Sequence, residues 1–422
     1  MSLFFDRLKK FAGLDDEDIA LVQQCLDELR PQWELFSDRT QANQIKVLEA
    51  FQHNQVADFH LNGSTGYGYG DTGRDVLERV WADLFGAEKA LVRSNLVSGT
   101  HAIATVLFGV LRPGDEAVSI SGMPYDTLQT VIGKEEHARG TLREFGIRHK
   151  SVPLKDNDFD EAAIRAAVTP QTKMVMIQRS RGYEWRDSLS IEKIARACDI
   201  VKSISKDIII FVDNCYGEFV EDKEPLEVGA DIIAGSLIKN PGGGLAPRGG
   251  YIAGKAELVD ASAERLTAPG ISDDVSSSLD FNRPAFQGLF MAPLIVEQAL
   301  KGASFAASYL SAKGYVVSPT ADAPRTDIIQ CIAFGDPDKL RKFCQGIQAA
   351  SALESYVTPY DDQLPGYDDP VIMAGGTFIQ GSSIELSIDG PMREPFIGYM
   401  QGGLSITHII ASVCLAAKKM EG

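Results

Sequence analysis

The sequence has few cysteines, and none of them stand in pairs. Six occur among 422 residues, and no two are separated by the few residues typical of zinc or redox motifs. The six histidines show no metal-ligand spacing either. A disulfide framework and a metal site are therefore not expected, and a reducing compartment fits the pattern. The cysteines are Cys25, Cys198, Cys215, Cys331, Cys344 and Cys414.

Long hydrophobic runs are also absent. No stretch is long and apolar enough to be predicted as a bilayer-spanning segment. The first residues, MSLFFDRLKKFAGLDDED, lack the apolar core and small-residue cleavage site of a secretory signal. We therefore expect a cytoplasmic protein without a membrane partner.

Positive charge is in deficit. The chain has 41 Lys and Arg against 58 Asp and Glu, a net charge of −17, and no basic cluster stands out. This balance repels nucleic acids and anionic lipid surfaces, so neither is expected as a partner. Hydrophobic residues, in contrast, make up 44% of the chain, which is enough for a sizeable core.

The middle of the chain alternates between short apolar segments and helical segments. This alternation predicts an α/β domain with a mainly parallel sheet, in which functional groups gather at the strand ends. The predicted strands are 117–120, 173–178, 207–212, 232–234 and 250–253, and the predicted helices between them include 160–168 and 191–203.

The two ends of the chain have a different character. Helical spacing predicts a helix over 14–58 that Pro31 interrupts, and another over 285–312 that breaks near Pro293. Strand-like runs at 328–334 and 384–388 flank a helix predicted at 337–351. We therefore predict three parts, namely an N-terminal helical arm (1–60), a large domain (61–300) and a smaller C-terminal α+β domain (301–422).

Two residues that follow predicted strands are candidates for catalysis. Lys239 comes after the strand 232–234 and just before a run of glycines. A lysine shielded from water has a lowered pKa and can attack a carbonyl group. Asp213 follows the strand 207–212, where an acid can hold a protonated pyridine nitrogen. Taken singly, Lys239 also fits a solvated loop and Asp213 a helix cap.

Two further segments have features of ligand-binding positions. Ser98, Gly99 and Thr100 begin a predicted helix, where backbone N–H groups and the helix dipole favour a phosphate. Tyr125 follows the strand 117–120 and can stack on a flat cofactor. Each segment alone also fits ordinary capping or an ordinary core tyrosine. Their joint order along one α/β pattern is what indicates a cofactor site.

These segments occur in the order found in a known family. The chain resembles the fold type I enzymes that depend on pyridoxal 5′-phosphate (PLP). It is most similar to the methionine gamma-lyase-like group labelled aluminium-resistance proteins, which is related to the cystathionine beta- and gamma-lyases. The resemblance implies a large domain with a mainly parallel seven-stranded sheet and a smaller α+β domain. The motifs that carry it are GYGYGDTGRDVLERVWADLFGAE, VSGTHAI, PYDTL, QRSRGYEWRDS, VDNCYGEFVE, GSLIKNPGGG and PMREPFIGYMQGG.

The resemblance implies roles for individual residues. Lys239 matches the catalytic lysine that carries PLP as a Schiff base, and Asp213 matches the catalytic partner of its pyridine nitrogen. Tyr125 would stack on the ring and join the catalytic residues, and Tyr216 would reach the 3′-oxygen. The phosphate would be bound by Ser98, Gly99, Thr100 and Ser236.

The resemblance also implies that active sites are shared between subunits. The loop with Tyr67, Tyr69 and Arg74 would reach the PLP site of a neighbouring subunit. A homo-oligomer, either a dimer or a tetramer, is therefore expected.

One position departs from the family pattern. The arginine that binds the substrate carboxylate is expected in the strand 383–387, but this chain has Glu385 there. Arg393 is our candidate to replace it, with Arg181 and Arg325 as alternatives, because a guanidinium binds a carboxylate through two hydrogen bonds. Each of the three also fits a plain ion pair.

The expected function is a PLP-dependent lyase. It would act on a small, sulfur-containing amino acid by β- or γ-elimination and release a keto acid and ammonia. A PLP-dependent aminotransferase would use the same core residues. A PLP-binding regulator without turnover usually carries a basic DNA-binding module, which is not evident here. A nucleotide-binding enzyme using GYGYGDTG is disfavoured because the segment lacks the G-K-[ST] ending.

Overall fold

The structure, a computed structural model, describes residues 2–134, 138–364 and 367–421. The helices in these ranges are α1 (Leu3–Ala12), α2 (Asp16–His53), α3 (Thr72–Phe85), α4 (Gly99–Val110), α5 (Asp126–Ile132), α6 (Glu161–Ala167), α7 (Ile191–Ile204), α8 (Ala256–Leu266), α9 (Asn282–Ala312), α10 (Pro337–Ala350) and α11 (Ile406–Glu421). The strands are β1 (Lys89–Arg93), β2 (Glu116–Ser119), β3 (Arg148–Ser151), β4 (Thr172–Gln178), β5 (Ile209–Asp213), β6 (Ile232–Ser236), β7 (Gly250–Gly254), β8 (Val316–Ser318), β9 (Ile329–Ala333), β10 (Val371–Ala374), β11 (Ser387–Pro391) and β12 (Ile397–Gln401).

The first seven strands form one sheet in the order β1-β7-β6-β5-β4-β2-β3. Neighbouring strands are parallel except where β7 pairs with β1 and β6. The expected mainly parallel, seven-stranded sheet is therefore confirmed. Because β4, β5 and β6 are parallel neighbours, the residues that follow them meet at one edge of the sheet.

The remaining five strands form an antiparallel sheet in the order β10-β11-β12-β9-β8. Together with α10 and α11 it gives the expected smaller α+β unit. The strand predicted at 384–388 is misplaced, because β11 begins at Ser387. The reason lies in Glu385, whose carboxylate accepts hydrogen bonds from the backbone N–H groups of Phe378 (2.8 Å) and Ile379 (2.9 Å). These bonds hold the segment before β11 in a loop conformation, so the strand begins only at Ser387.

Neither of the two internal prolines ends its helix. The helix α2 continues through Pro31 and α9 continues through Pro293, so both predicted breaks are wrong. A proline removes one hydrogen bond from a helix, but α2 and α9 pack along each other and bury much apolar surface. This tertiary packing outweighs the local cost.

The three largest apolar cores hold the molecule together. Side chains of α3, α7 and α9 pack on one face of the large sheet, and those of α4 and α8 pack on the other. The third core joins the small sheet to α10, α11, α1 and the first half of α2. The helix α9 contributes Leu300 to the first core and Phe305 to the third. The N-terminal helices are therefore packed into both units, and the domain bounds stay a prediction.

Within the described ranges, none of the helices combines the length and the apolarity needed to cross a bilayer. In the same residues, no group of three or more His, Cys, Asp and Glu side chains is arranged to hold a metal ion. All six cysteines are buried and free of disulfide bonds.

Candidate active site

A cavity of about 250 Å³ lies at the carboxyl edge of the large sheet. Its walls come from the ends of β4, β5 and β6, the start of α4 and the facing strands β11 and β12 of the small sheet. Most of the site residues expected from one subunit line this cavity. They are Ser98, Gly99, Thr100, Tyr125, Asp213, Tyr216, Ser236 and Lys239.

Asp213 and Lys239 come from neighbouring parallel strands. Asp213 is the last residue of β5, and its Cα partner in β6 is Ala234. Lys239 follows the end of β6 by three residues. Both side chains line the cavity, so the strand ends bring an acid and an amine to one space.

The pKa values of both groups are set by burial and by each other. Burial raises the pKa of Asp213, although the positive charge of Lys239 opposes this shift. Burial lowers the pKa of Lys239, but the acidic groups of Cys215, Tyr216 and Asp213 raise it, and the net result is a raised pKa. The expectation of a lowered lysine pKa is therefore wrong, because acidic neighbours outweigh the loss of water.

The first turn of α4 offers free backbone donors. Ser98 caps this helix by accepting a 3.1 Å hydrogen bond from the N–H of His101 on its side-chain oxygen. The N–H groups of Gly99 and Thr100 have no partner within the helix, as is general for a first turn. A Cβ at position 99 would lie 3.3 Å from both Cys215 Sγ and Ser236 Cβ. Glycine therefore keeps this end of the cavity open for a group that approaches the backbone.

Tyr125 and Tyr216, which both line the cavity, are fixed by polar contacts. The N–H of Tyr125 donates to Gln178 Oε1 at 2.7 Å, and its hydroxyl is 2.8 Å from that of Tyr367. Tyr216 has a φ of +72° and donates from its hydroxyl to Ser383 Oγ at 3.2 Å. Its ring centre lies 3.9 Å from the Nζ of Lys239.

The loop expected to reach a neighbouring subunit points partly outward. Tyr67 is 75% exposed and Tyr69 is 70% exposed. Arg74, in contrast, is buried, and its Nη1 donates to the carbonyl oxygens of Gly68 (3.0 Å) and Ser276 (3.1 Å). Arg74 therefore holds its own loop in place, and the reach of this loop into a neighbouring subunit stays a prediction.

The three candidate arginines do not line the cavity. Arg393 forms an ion pair with Asp369 (3.1 Å) and borders an adjoining cleft, which shares Tyr125 and Tyr183 with the cavity. Arg181 borders the same cleft but is buried, and it donates to Ser318 and Cys331. Arg325 is also buried, and burial lowers its pKa to about 9.

Sequence reasoning missed one whole wall of the cavity. Asp389 and Gln401 come from β11 and β12, and three tyrosines complete this side. Tyr183 lies in the QRSRGYEWRDS motif, which was noted without a role for that residue. The missed residues with polar side chains include Gln178, Tyr183, Tyr367, Asp389, Tyr399 and Gln401.

The residues at the cavity fit PLP. The open cradle at Gly99 and the free N–H groups beside it suit a phosphate. Asp213 presents a carboxylate for the pyridine nitrogen, and Lys239 presents a primary amine for the aldehyde. The donor set therefore agrees in kind and in order with that cofactor.

Comparison with known proteins gives extensive matches. A family model described as methionine gamma-lyase matches residues 18–421. A Listeria monocytogenes structure, named as a proposed cystathionine beta-lyase involved in aluminium resistance, has a TM-score of 0.93 at 52% identity and covers 95% of this chain and 99% of that chain. A Clostridium novyi structure, named as a carbon-sulfur lyase involved in aluminium resistance, has a TM-score of 0.95 at 46% identity and covers 99% of each chain. The L-methionine gamma-lyase of Pseudomonas putida is 29% identical over 204 residues, which are 47% of this chain and 44% of that protein.

These similarities agree on the cofactor and on the type of chemistry. The cofactor is pyridoxal 5′-phosphate. The family and the solved neighbours indicate a PLP-dependent lyase of the carbon–sulfur type. The match spans both the large sheet and the small sheet. The chain belongs to the methionine gamma-lyase family.

Proposed function

We propose that this chain cleaves a small sulfur-containing amino acid by β- or γ-elimination. The sulfur-bearing group leaves as a thiol, and hydrolysis of the remaining fragment gives a keto acid and ammonia. The observation that carries the proposal is the convergence of Asp213 and Lys239 on one cavity. Bound at this place, PLP would supply an electron sink for the charge that develops on the substrate's α-carbon. The side chains around it then decide how protons move and which substrates fit.

Lys239 is the residue that carries the cofactor and moves protons. Its amine would take the proton from the substrate's α-carbon once the substrate has displaced it. An amine must be neutral to do so, yet the acidic neighbours raise the pKa of Lys239. When Asp213 pairs with a protonated ring nitrogen, the positive charge of that nitrogen offsets the negative charge of Asp213. The pKa of Lys239 is then lower than it is beside an unpaired Asp213.

The other residues bind and orient. The N–H groups of Gly99 and Thr100 and the hydroxyls of Ser98 and Ser236 would hold the phosphate. Tyr125 would lie against the ring.

We assign the substrate's α-carboxylate to Arg393. Its guanidinium borders the cleft that adjoins the cavity through Tyr125 and Tyr183, and its partner Asp369 is a surface residue. A substrate carboxylate can replace Asp369 without leaving a buried charge unpaired.

The exposed rings of Tyr67 and Tyr69 support an assembly of at least two copies of the chain. We propose that Tyr67 completes the site of the neighbouring subunit in a homodimer or homotetramer. The enzyme would work in the cytoplasm, where its buried free cysteines stay reduced.

The test is release of ammonia and keto acid from cysteine, cystathionine, methionine and homocysteine, without any keto acid added as an acceptor. We expect at least one of them to be cleaved by the purified PLP-loaded protein. A reaction that runs only with an added keto acid would mean that the enzyme is an aminotransferase. That result would overturn the proposal.

A further inference from the structure

The wall of the cavity that the small sheet forms carries a carboxylate that the proposed chemistry does not use. Asp389 lies in β11 directly across from Tyr399 in β12, and Ser387 lies across from Gln401. Side chains two residues apart in a strand face the same side, so this face of the small sheet looks into the cavity. The alternating residues Ile388 and Met400 face the small-domain core instead.

Asp389 has little to balance its charge. Its Oδ2 accepts one long hydrogen bond, of 3.3 Å, from Gln401 Nε2. Among the residues that the structure describes, it forms no ion pair with a lysine or arginine. Burial raises its pKa to about 6, although Tyr183, Gln401 and Lys239 act in the opposite direction. A carboxylate in such a place is stabilised by a cationic ligand.

The tyrosines around Asp389 point to the same kind of ligand. Tyr183, Tyr367 and Tyr399, which we call the tyrosine cluster, all line the cavity. The ring centres of Tyr183 and Tyr399 are 5.0 Å apart, and those of Tyr183 and Tyr367 are 5.9 Å apart. Electron-rich rings attract cations across their faces, and a group of them beside a carboxylate suits a substituted ammonium ion.

We propose that Asp389 and the tyrosine cluster form a subsite for a protonated amine at the far end of the substrate's side chain. This inference rests on the proposed function. It assumes that the substrate's α-amino group displaces the amine of Lys239 from the cofactor and that the leaving group extends towards β11. The preferred substrate is then an amino acid whose sulfur-linked group carries an amine. A neutral side chain would displace water from Asp389 without replacing the hydrogen bonds of that water, and an anionic side chain would be repelled by the carboxylate.

Three S-substituted cysteines of similar size test the charge preference. S-(2-aminoethyl)cysteine is cationic, S-propylcysteine has the same number of heavy atoms without the charge, and S-(carboxymethyl)cysteine is anionic. For the PLP-loaded enzyme we expect kcat/KM to be about ten- to a hundredfold higher for the first than for the second, as for a charge-assisted hydrogen bond, and lowest for the third. Equal values for the first two, or a preference for the neutral compound, would overturn the subsite.

The variant Asp389→Asn tests whether this residue is the source of the preference. We expect the ratio between the cationic and the neutral compound to fall to within about threefold, because the charge has gone but the shape remains. The control Asp338→Asn removes an exposed carboxylate of α10 that pairs with Arg341, and it should keep the ratio of the unaltered enzyme. A ratio that survives in Asp389→Asn contradicts the assignment. If that variant does not fold, a binding comparison of compounds without a leaving group decides, because the acidity of the leaving thiol does not affect it.

A binding measurement separates the subsite from the lyase reaction. L-lysine and L-2-aminoheptanoic acid have the same number of side-chain heavy atoms, and neither has a leaving group. Calorimetry on the PLP-loaded enzyme should show lysine binding at least about tenfold tighter than 2-aminoheptanoic acid. If this preference is found but no cysteine derivative is cleaved, the subsite stands and the proposed function fails. If cleavage occurs but lysine shows no preference, the function stands and the subsite fails.

Discussion

The Nζ of Lys239 lies 3.9 Å from the centre of the Tyr216 ring. The backbone of Tyr216 adopts a φ of +72°, and its hydroxyl donates a hydrogen bond to Ser383 Oγ. The side chain is therefore held at its hydroxyl end as well as at the backbone. The carbonyl oxygen of Tyr216 also accepts a 3.0 Å hydrogen bond from Asn240, the residue after the lysine. Tyr216 therefore determines where the reactive amine can lie.

Changing Tyr216 should separate the ring contact from the hydroxyl contact. We expect Tyr216→Phe to keep PLP and to lose about tenfold in kcat, since it loses one hydrogen bond. Tyr216→Ala also loses the ring beneath the amine and should lose clearly more. Steady-state kinetics and the absorbance of the bound cofactor measure both effects. Equal losses in the two variants would show that the ring contact has no role.

Replacing Asp213 should damage catalysis more than cofactor binding. In Asp213→Asn the negative charge at the ring nitrogen is gone, and we expect kcat to fall by about a hundred- to a thousandfold. Asp207→Asn, which changes an exposed acid just before β5, is the matched control and should keep normal kcat. Near-normal activity in Asp213→Asn would contradict the proposed role.

The arginine assignment predicts a change in KM. Arg393→Ala should raise KM for an α-amino acid by about tenfold or more, because a charged hydrogen-bonding pair with the substrate is lost. The control Arg283→Ala alters another exposed arginine, which lies 3.8 Å from Asp58, and should leave KM unchanged. An unchanged KM in Arg393→Ala would instead direct attention to the buried Arg181 and Arg325.

Much of this site could be predicted from the sequence. Lys239 and Asp213 follow apolar strands, and parallel strands of one sheet end at one edge, so local pattern was enough to bring them together. Asp389 could not be placed in the same way. It faces the cavity only because β11 pairs with β12 in a particular register and the small sheet turns that face towards the large domain. Local periodicity in the sequence predicts neither the register of these strands nor the packing of the two sheets.

The errors in the sequence predictions have a common physical origin. Pro31 and Pro293 were expected to break helices on local grounds, but the packing of α2 against α9 outweighs one missing hydrogen bond in each. In each case a long-range contact decides the outcome.

A buried acid beneath the site should make stability depend on pH. Glu218 is fully buried and accepts a 2.8 Å hydrogen bond from the Tyr251 hydroxyl, and burial raises its pKa from 4.5 to about 8. Between these two pH values the folded chain holds a proton that the unfolded chain has lost. The contribution of Glu218 to the free energy of unfolding therefore decreases as pH rises through this window.

Glu218→Gln removes this titration while keeping an oxygen for Tyr251. The free energy of unfolding of the variant minus that of the unaltered protein should increase by at least about 1 kcal/mol from pH 5 to pH 8. Urea unfolding at both pH values measures the change. A difference between the two proteins that is the same at pH 5 and pH 8 would refute the raised pKa.

The central claim is that Lys239 is the residue bound covalently to PLP. Borohydride reduction of the purified PLP-loaded protein turns such a link into a stable secondary amine, and digestion followed by mass spectrometry locates it. We expect a phosphopyridoxyl group on the peptide that contains Lys239, and none in Lys239→Ala. A phosphopyridoxyl group on a different lysine, or none on the unaltered protein, would contradict it.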